Sequence, residues 1–145
     1  MPTNTATIVI NAPASRVFEA LDTPETHFAI SPSLTEMGQV TKKEEGGHDV
    51  GFTMRMLGVT LKGTVRIKEH SPPTRIAWRM EGDLEGDLSF TLDPGGDDTT
   101  TVTYEANYEN PAPVLKAVTD PLISRYNQRE IETCLANLKD RLEHM

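Results

Sequence analysis

The feature that most constrains this chain is an apolar stripe near its end. Ile131, Leu135, Leu138 and Leu142 recur at i, i+4, i+7 and i+11, the spacing that lines one face of an α-helix. Leu115, Val118, Leu122 and Tyr126 recur at helical spacing before them, so residues 111–145 read as one long amphipathic helix, kinked near Pro121. The residues before it carry strand patterns, and a sheet of that extent must bury one face against another layer. This helix is the only long candidate for the cover.

The first strand, residues 3–11, alternates Ala6, Ile8 and Ile10 with Thr5, Thr7 and Val9. Pro13 then opens a short helix carrying Val17, Phe18 and Leu21, and Thr23 is placed to cap a second one over residues 24–30. A weak strand follows over residues 37–44, with hairpin-turn chemistry at Glu45-Gly46-Gly47-His48. Val50, Phe52, Met54 and Met56 form one apolar row. Val59, Leu61, Gly63, Val65 and Ile67 form the next, with Thr60, Lys62, Thr64, Arg66 and Lys68 on the wet face. Ile76, Trp78 and Met80, then Leu88, Phe90 and Leu92, then Val102, Tyr104, Ala106 and Tyr108 complete the set. The order is strand, two short helices, six strands and a long helix. Hairpin-length connections make it an antiparallel meander in an α+β chain, expected to form a single domain over residues 1–145.

Composition narrows the function. Of 145 residues 37% are hydrophobic, enough for a packed core, and 22 acidic residues against 14 basic give a formal charge of -8. Without a concentrated basic patch, that balance argues against nucleic acid as a partner. No window approaches the ~18 apolar residues of a membrane span, and the N-terminus shows no signal peptide, so a cytoplasmic protein with no integral membrane segment is expected. One cysteine, Cys134, excludes an intramolecular disulfide framework and reads as a buried structural thiol. His27, His48, His70 and His144 fall in no metal-ligand pattern, so no metal or cofactor is expected, and His27 reads as a surface histidine. Glu81, Asp83, Glu85 and Asp87 read as a solvated hairpin.

The succession resembles the SRPBCC superfamily, the helix-grip fold of START, Bet v 1-like (birch pollen allergen) and polyketide cyclase/dehydrase-like proteins. The likeness is carried by Ile10-Asn11-Ala12-Pro13 with Val17-Phe18 and Leu21-Asp22, by Gly58 and Gly63 flanking a strand, and by Glu69 with Pro72-Pro73 and Arg75. Phe90-Thr91-Leu92 and the ending Leu138-Lys139 to Leu142-Glu143 extend it. The middle section is also similar to the branch of the superfamily named for the G-type subunit of carbon monoxide dehydrogenase. The resemblance implies a seven-stranded antiparallel sheet wrapped around the long C-terminal helix, with an apolar cavity between them that binds lipids, polyketides or quinones.

The apolar rows then supply the expected cavity wall: Phe52, Met54, Met56, Leu61, Trp78, Met80, Phe90, Tyr104 and Tyr108, facing Leu122 and Tyr126. The tyrosines and the Trp78 indole each bring a donor that needs a partner when buried. Tyr126 is open between contacting ligand and bonding a strand carbonyl. Arg55 and Arg79 alternate with apolar neighbours and face solvent, so no catalytic residue is assigned. The leading expectation is a non-enzymatic carrier or sensor of a small hydrophobic ligand. A cyclase/dehydratase-type enzyme is the alternative, and an accessory protein for a partner enzyme comes third; a homodimer is left open.

Overall fold

The computed structural model describes residues 3–110 and 120–144. Its elements are β1 (Thr3–Ile10), α1 (Ala14–Leu21), α2 (Pro24–Ile30), β2 (Leu34–Lys42), β3 (His48–Met56), β4 (Val59–Ser71), β5 (Arg75–Gly82), β6 (Glu85–Pro94), β7 (Thr100–Asn110) and α3 (Asp120–Glu143). Residues 111–119 of the expected long helix, with Leu115 and Val118, lie outside the described residues, as does one side of the expected kink at Pro121.

All pairings are antiparallel, and the sheet order is β1-β7-β6-β5-β4-β3-β2. Strands β2 to β7 are sequential neighbours, so each connection is a hairpin. Strands β1 and β2 stand at opposite edges, and α1 and α2 carry the chain between them. With α3 as the covering layer, this is the helix-grip fold. The period-2 rows set which face is covered. Val50, Phe52, Met54 and Met56 are all buried on β3, as are Ile76, Trp78 and Met80 on β5.

Helix α1 buries Ala14, Val17, Phe18 and Leu21, and the Pro13 carbonyl accepts from the backbone of Arg16 and Val17. Thr23 does not cap α2 with its side chain; its hydroxyl turns back and donates to the Glu19 carbonyl at 2.9 Å. Pro24, at the first position of α2, lacks an N–H and needs no cap there.

Helix α3 lies along β1 and is fastened by side chains rather than by apolar contact alone. Asn4 donates to the Ser124 carbonyl at 3.1 Å, Gln128 to the Thr5 carbonyl at 3.0 Å and Lys139 to the Val9 carbonyl at 2.8 Å. Ile131, Leu135, Leu138 and Leu142 are buried as the stripe requires, and Ile123 continues it toward the helix start. Leu122 does not belong to it and is 44% exposed. Counted back from Ile131 it lies nine residues away, about two and a half turns at ~3.6 residues per turn, and so on the opposite side.

On the outer face of the sheet the acidic hairpin is neutralised by arginines. Arg66 pairs with Glu81 at 2.5 Å and Arg79 with Asp87 at 3.3 Å, while Asp83 accepts the Lys62 backbone N–H at 2.9 Å. Among the described residues no group of side chains is arranged to hold a metal ion. No described helix is long and apolar enough to cross a membrane.

Candidate functional site: the cavity between sheet and helix

A cavity of about 110 Å3 lies between the inner sheet face, α2 and α3. Of the expected wall residues, Phe52, Met54, Trp78, Met80, Phe90, Tyr104 and Tyr108 line it. Met56 and Leu61 are buried in the adjoining core, at 0% and 1% exposure, without reaching the cavity surface. Leu122 points away, for the reason of helical phase given above. Tyr126 is also absent from the lining: its hydroxyl donates to the Arg55 carbonyl at 3.0 Å and touches Ser33 Oγ, so it ties α3 to β3. Of the two alternatives left open in the sequence, the bond to a strand carbonyl is the one formed here.

The aromatic wall is ordered by ring packing. Phe90 stacks on Tyr104 with centroids 4.2 Å apart, and Trp78 meets Phe90 edge-on at 6.1 Å. Neither tyrosine hydroxyl in this wall has a hydrogen-bond partner among the described residues, and the same holds for the Trp78 indole N–H. Burial pushes the Tyr104 and Tyr108 phenols well above their ordinary range, and the nearby Glu130 charge pushes in the same direction. Both therefore stay protonated and can donate.

Five polar residues that sequence reasoning leaves outside the site, Asp22, His27, Ser31, His48 and Glu130, line it. His27 is part-buried on α2 rather than at the surface. Its Nε2 lies 2.7 Å from the Leu21 carbonyl and its ring meets Trp78 edge-on at 5.1 Å. Facing a carbonyl oxygen, Nε2 must carry the proton, which leaves the lone pair on Nδ1. Burial lowers the His27 pKa, against the opposing pull of the Leu21 bond and the Asp22 charge, so the imidazole is held toward its neutral form.

Asp22, at the end of α1, reaches the sheet: Oδ2 is 3.0 Å from His70 Nε2 and Oδ1 is 4.0 Å from His48 Nδ1. Strict alternation would put His70 on the wet face of β4. A bulge between Ile67 and Glu69 shifts the register by one residue and turns His70 inward, opposite buried Ile76. Glu130 comes from α3, accepting the Ser33 hydroxyl at 2.8 Å and the Ser31 hydroxyl beside it. One turn on, Cys134 directs its thiol to the same carboxylate at 3.7 Å. Burial and the Glu130 charge push that thiol far up, so it remains an unreactive SH. Glu130 sits one residue before Ile131 and four before Cys134, so a carboxylate at the edge of the apolar stripe was the available sequence signal.

Residues 1–143 match the family described as polyketide cyclase / dehydrase and lipid transport. The chain belongs to this family. Among solved structures, this polyketide cyclase/dehydrase and lipid transport family member is similar to a protein from Thermus thermophilus, with a TM-score of 0.83, 20% identity, and 99% and 98% of the two chains covered. A START superfamily protein from Mycobacterium smegmatis gives a TM-score of 0.82 at 16% identity, covering 98% and 97%. The Zhui aromatase/cyclase from Streptomyces sp. R1128 gives 0.81 at 14% identity, covering 98% and 93%. At these identities the likeness is one of fold, and it places the chain on the SRPBCC scaffold. No curated protein matches in sequence.

Proposed function

We propose that the chain binds a small, mostly apolar molecule in the cavity between the sheet and α3, acting as a carrier or sensor. The observation that carries this reading is a pair of protonated phenols, Tyr104 and Tyr108, in an aromatic-lined cavity where neither hydroxyl has a protein partner among the described residues. A phenol that faces the cavity without a protein acceptor can gain a hydrogen bond from a ligand carbonyl or hydroxyl, worth about 0.5–1.5 kcal/mol net. Family membership supports the reading, since its description joins lipid transport to cyclisation. At about 110 Å3 the cavity approaches the engineered cavities of roughly 150 Å3 that admit benzene. A one-ring ligand fits with small side-chain adjustments, whereas a fused-ring ligand needs the wall to open.

A second reading, a cyclase/dehydratase-type enzyme, is favoured by one feature: the neutral His27, whose Nδ1 lone pair has no partner among the described residues. A base of this kind could take a proton from an enolisable ligand.

The test is native mass spectrometry of the purified protein, followed by denaturation to identify released molecules, with Tyr104→Phe as the companion variant. Removing an unpaired hydroxyl leaves stability unchanged or raised by up to about 1 kcal/mol and lowers affinity for an acceptor-bearing ligand. A Tyr104→Phe protein that binds such a ligand as tightly as the parent contradicts the assignment. For the enzymatic reading, loss of turnover with retained binding in His27→Gln is the decisive result.

A further inference from the structure

We infer that this cavity selects uncharged, acceptor-bearing ligands, with an aryl or alkyl ketone as the fitting class, and disfavours carboxylates such as free fatty or aromatic acids. The inference rests on the cavity being a binding site. Its warrant is the sign of the charge around the wall. Among the described residues the acidic side chains lining it are Asp22 and Glu130, and no lysine or arginine lines it.

The two histidines of the wall do not reverse that sign. His27 is held toward neutrality by its burial. His48 and His70 both turn a ring nitrogen to Asp22, His48 Nδ1 at 4.0 Å from Oδ1 and His70 Nε2 at 3.0 Å from Oδ2, so the carboxylate they share stands beside any charge they carry. Glu130 is held in place by the hydroxyls of Ser31 and Ser33, and those donors are thereby committed. Among the described residues, what remains for a ligand are the Tyr104 and Tyr108 hydroxyls and the Trp78 indole N–H, all neutral donors. A ketone oxygen can accept from them at little desolvation cost. A carboxylate could accept too, but among the described residues of the wall it would find no lysine or arginine, and it would meet the Glu130 charge in an apolar setting.

The experiment compares acetophenone with benzoate, near-isosteres that differ in charge, by ligand-observed NMR titration at pH 7.5 in the parent protein and in Glu130→Gln. Gln retains a carbonyl acceptor and an amide for the two serines, so the site stays assembled. The expected result is acetophenone binding at least about tenfold tighter than benzoate, with the ratio shrinking several-fold in Glu130→Gln. Equal affinities, or tighter benzoate, overturn charge selection while leaving the cavity as a binding site. An unchanged ratio in Glu130→Gln overturns the assignment to that carboxylate. Failure of both probes to bind overturns the binding reading itself, and the selection with it.

Discussion

Gly86 is the position where one methyl group is expected to do the most damage. It stands on β6 opposite Met80 of β5 and Tyr108 of β7, next to a register shift at Glu85. A Cβ added there would lie 2.1 Å from the Asn107 carbonyl oxygen, 2.9 Å from the Tyr108 Cα and 3.0 Å from the Asn107 carbonyl carbon. All three neighbours are backbone, so no rotamer change relieves the clash. Carbon and oxygen settle at roughly 3.3–3.6 Å even in close strand contacts, so β6 and β7 must part by about 1 Å. That movement stretches the ladder bonds flanking the site beyond useful length; two of them at about 1 kcal/mol each, plus overpacking, give a loss near 3 kcal/mol for Gly86→Ala. For a chain of this size each kcal/mol moves the melting temperature by roughly 2–4 °C, so a fall of about 10 °C is expected. The control is Gly96→Ala, where an added Cβ meets nothing within 4 Å and the backbone is not left-handed. There the stability stays level or rises by up to about 1 kcal/mol through the unfolded chain. Urea denaturation followed by far-UV circular dichroism measures both. A Gly86→Ala loss below about 1 kcal/mol, or equal effects at the two glycines, would refute the steric argument.

Two further outcomes follow from hydrogen bonding and burial. His27 sits below its ordinary value of 6.5 in the folded chain. On acidification the unfolded chain takes up this proton first, so the His27 contribution is fully present above about pH 6.5 and falls as pH drops toward the lowered folded value. Urea midpoints across pH 7.5 to 5 should therefore decline less steeply in His27→Gln than in the parent; parallel profiles would contradict a buried neutral imidazole. Tyr126→Phe removes the hydroxyl that donates to Arg55 and touches Ser33, and should lower stability by about 1 kcal/mol at an unchanged urea m-value. An unaltered midpoint would mean that this link between α3 and β3 contributes nothing.

The sheet was legible because its signal is local. Alternation in β1, β3, β5 and β7 puts the dry row on one face whatever the neighbours do, and hairpin-length turns leave a meander as the simplest topology. The strand after α2 is less clear in the sequence: its pattern starts near Met37, whereas β2 begins at Leu34. The pairing there is irregular, with shifts between Leu34 and Glu36 and between Met37 and Val40. Edge strands with bulges blur the period that pattern reading depends on. Alternation cannot say where the helix stands over the sheet. That is fixed by polar bonds such as Asn4 to Ser124 and Asn137 to the Ile30 carbonyl, which join residues far apart in the chain.

The apolar half of the cavity was legible for the same reason, and its polar half was not, because each polar group arrives through a break in period or a long-range contact. A single-residue bulge on β4 brings His70 to Asp22, which a strict alternation would have left in water. Glu130 reads in isolation as a solvated helix charge, until the α2–β2 connection supplies Ser31 and Ser33 as its donors. His27 reads as a surface residue until Trp78, far along the chain, closes over its ring. Asp22, Glu130 and His27 all line one cavity. A fold that needed only a dry core would gain nothing from placing two carboxylates and a neutral imidazole there, since each must be desolvated and partnered. They line the same cavity as the Tyr104 and Tyr108 hydroxyls, which have no partner among the described residues, so acceptors and donors share an otherwise apolar wall, as the proposed binding site requires.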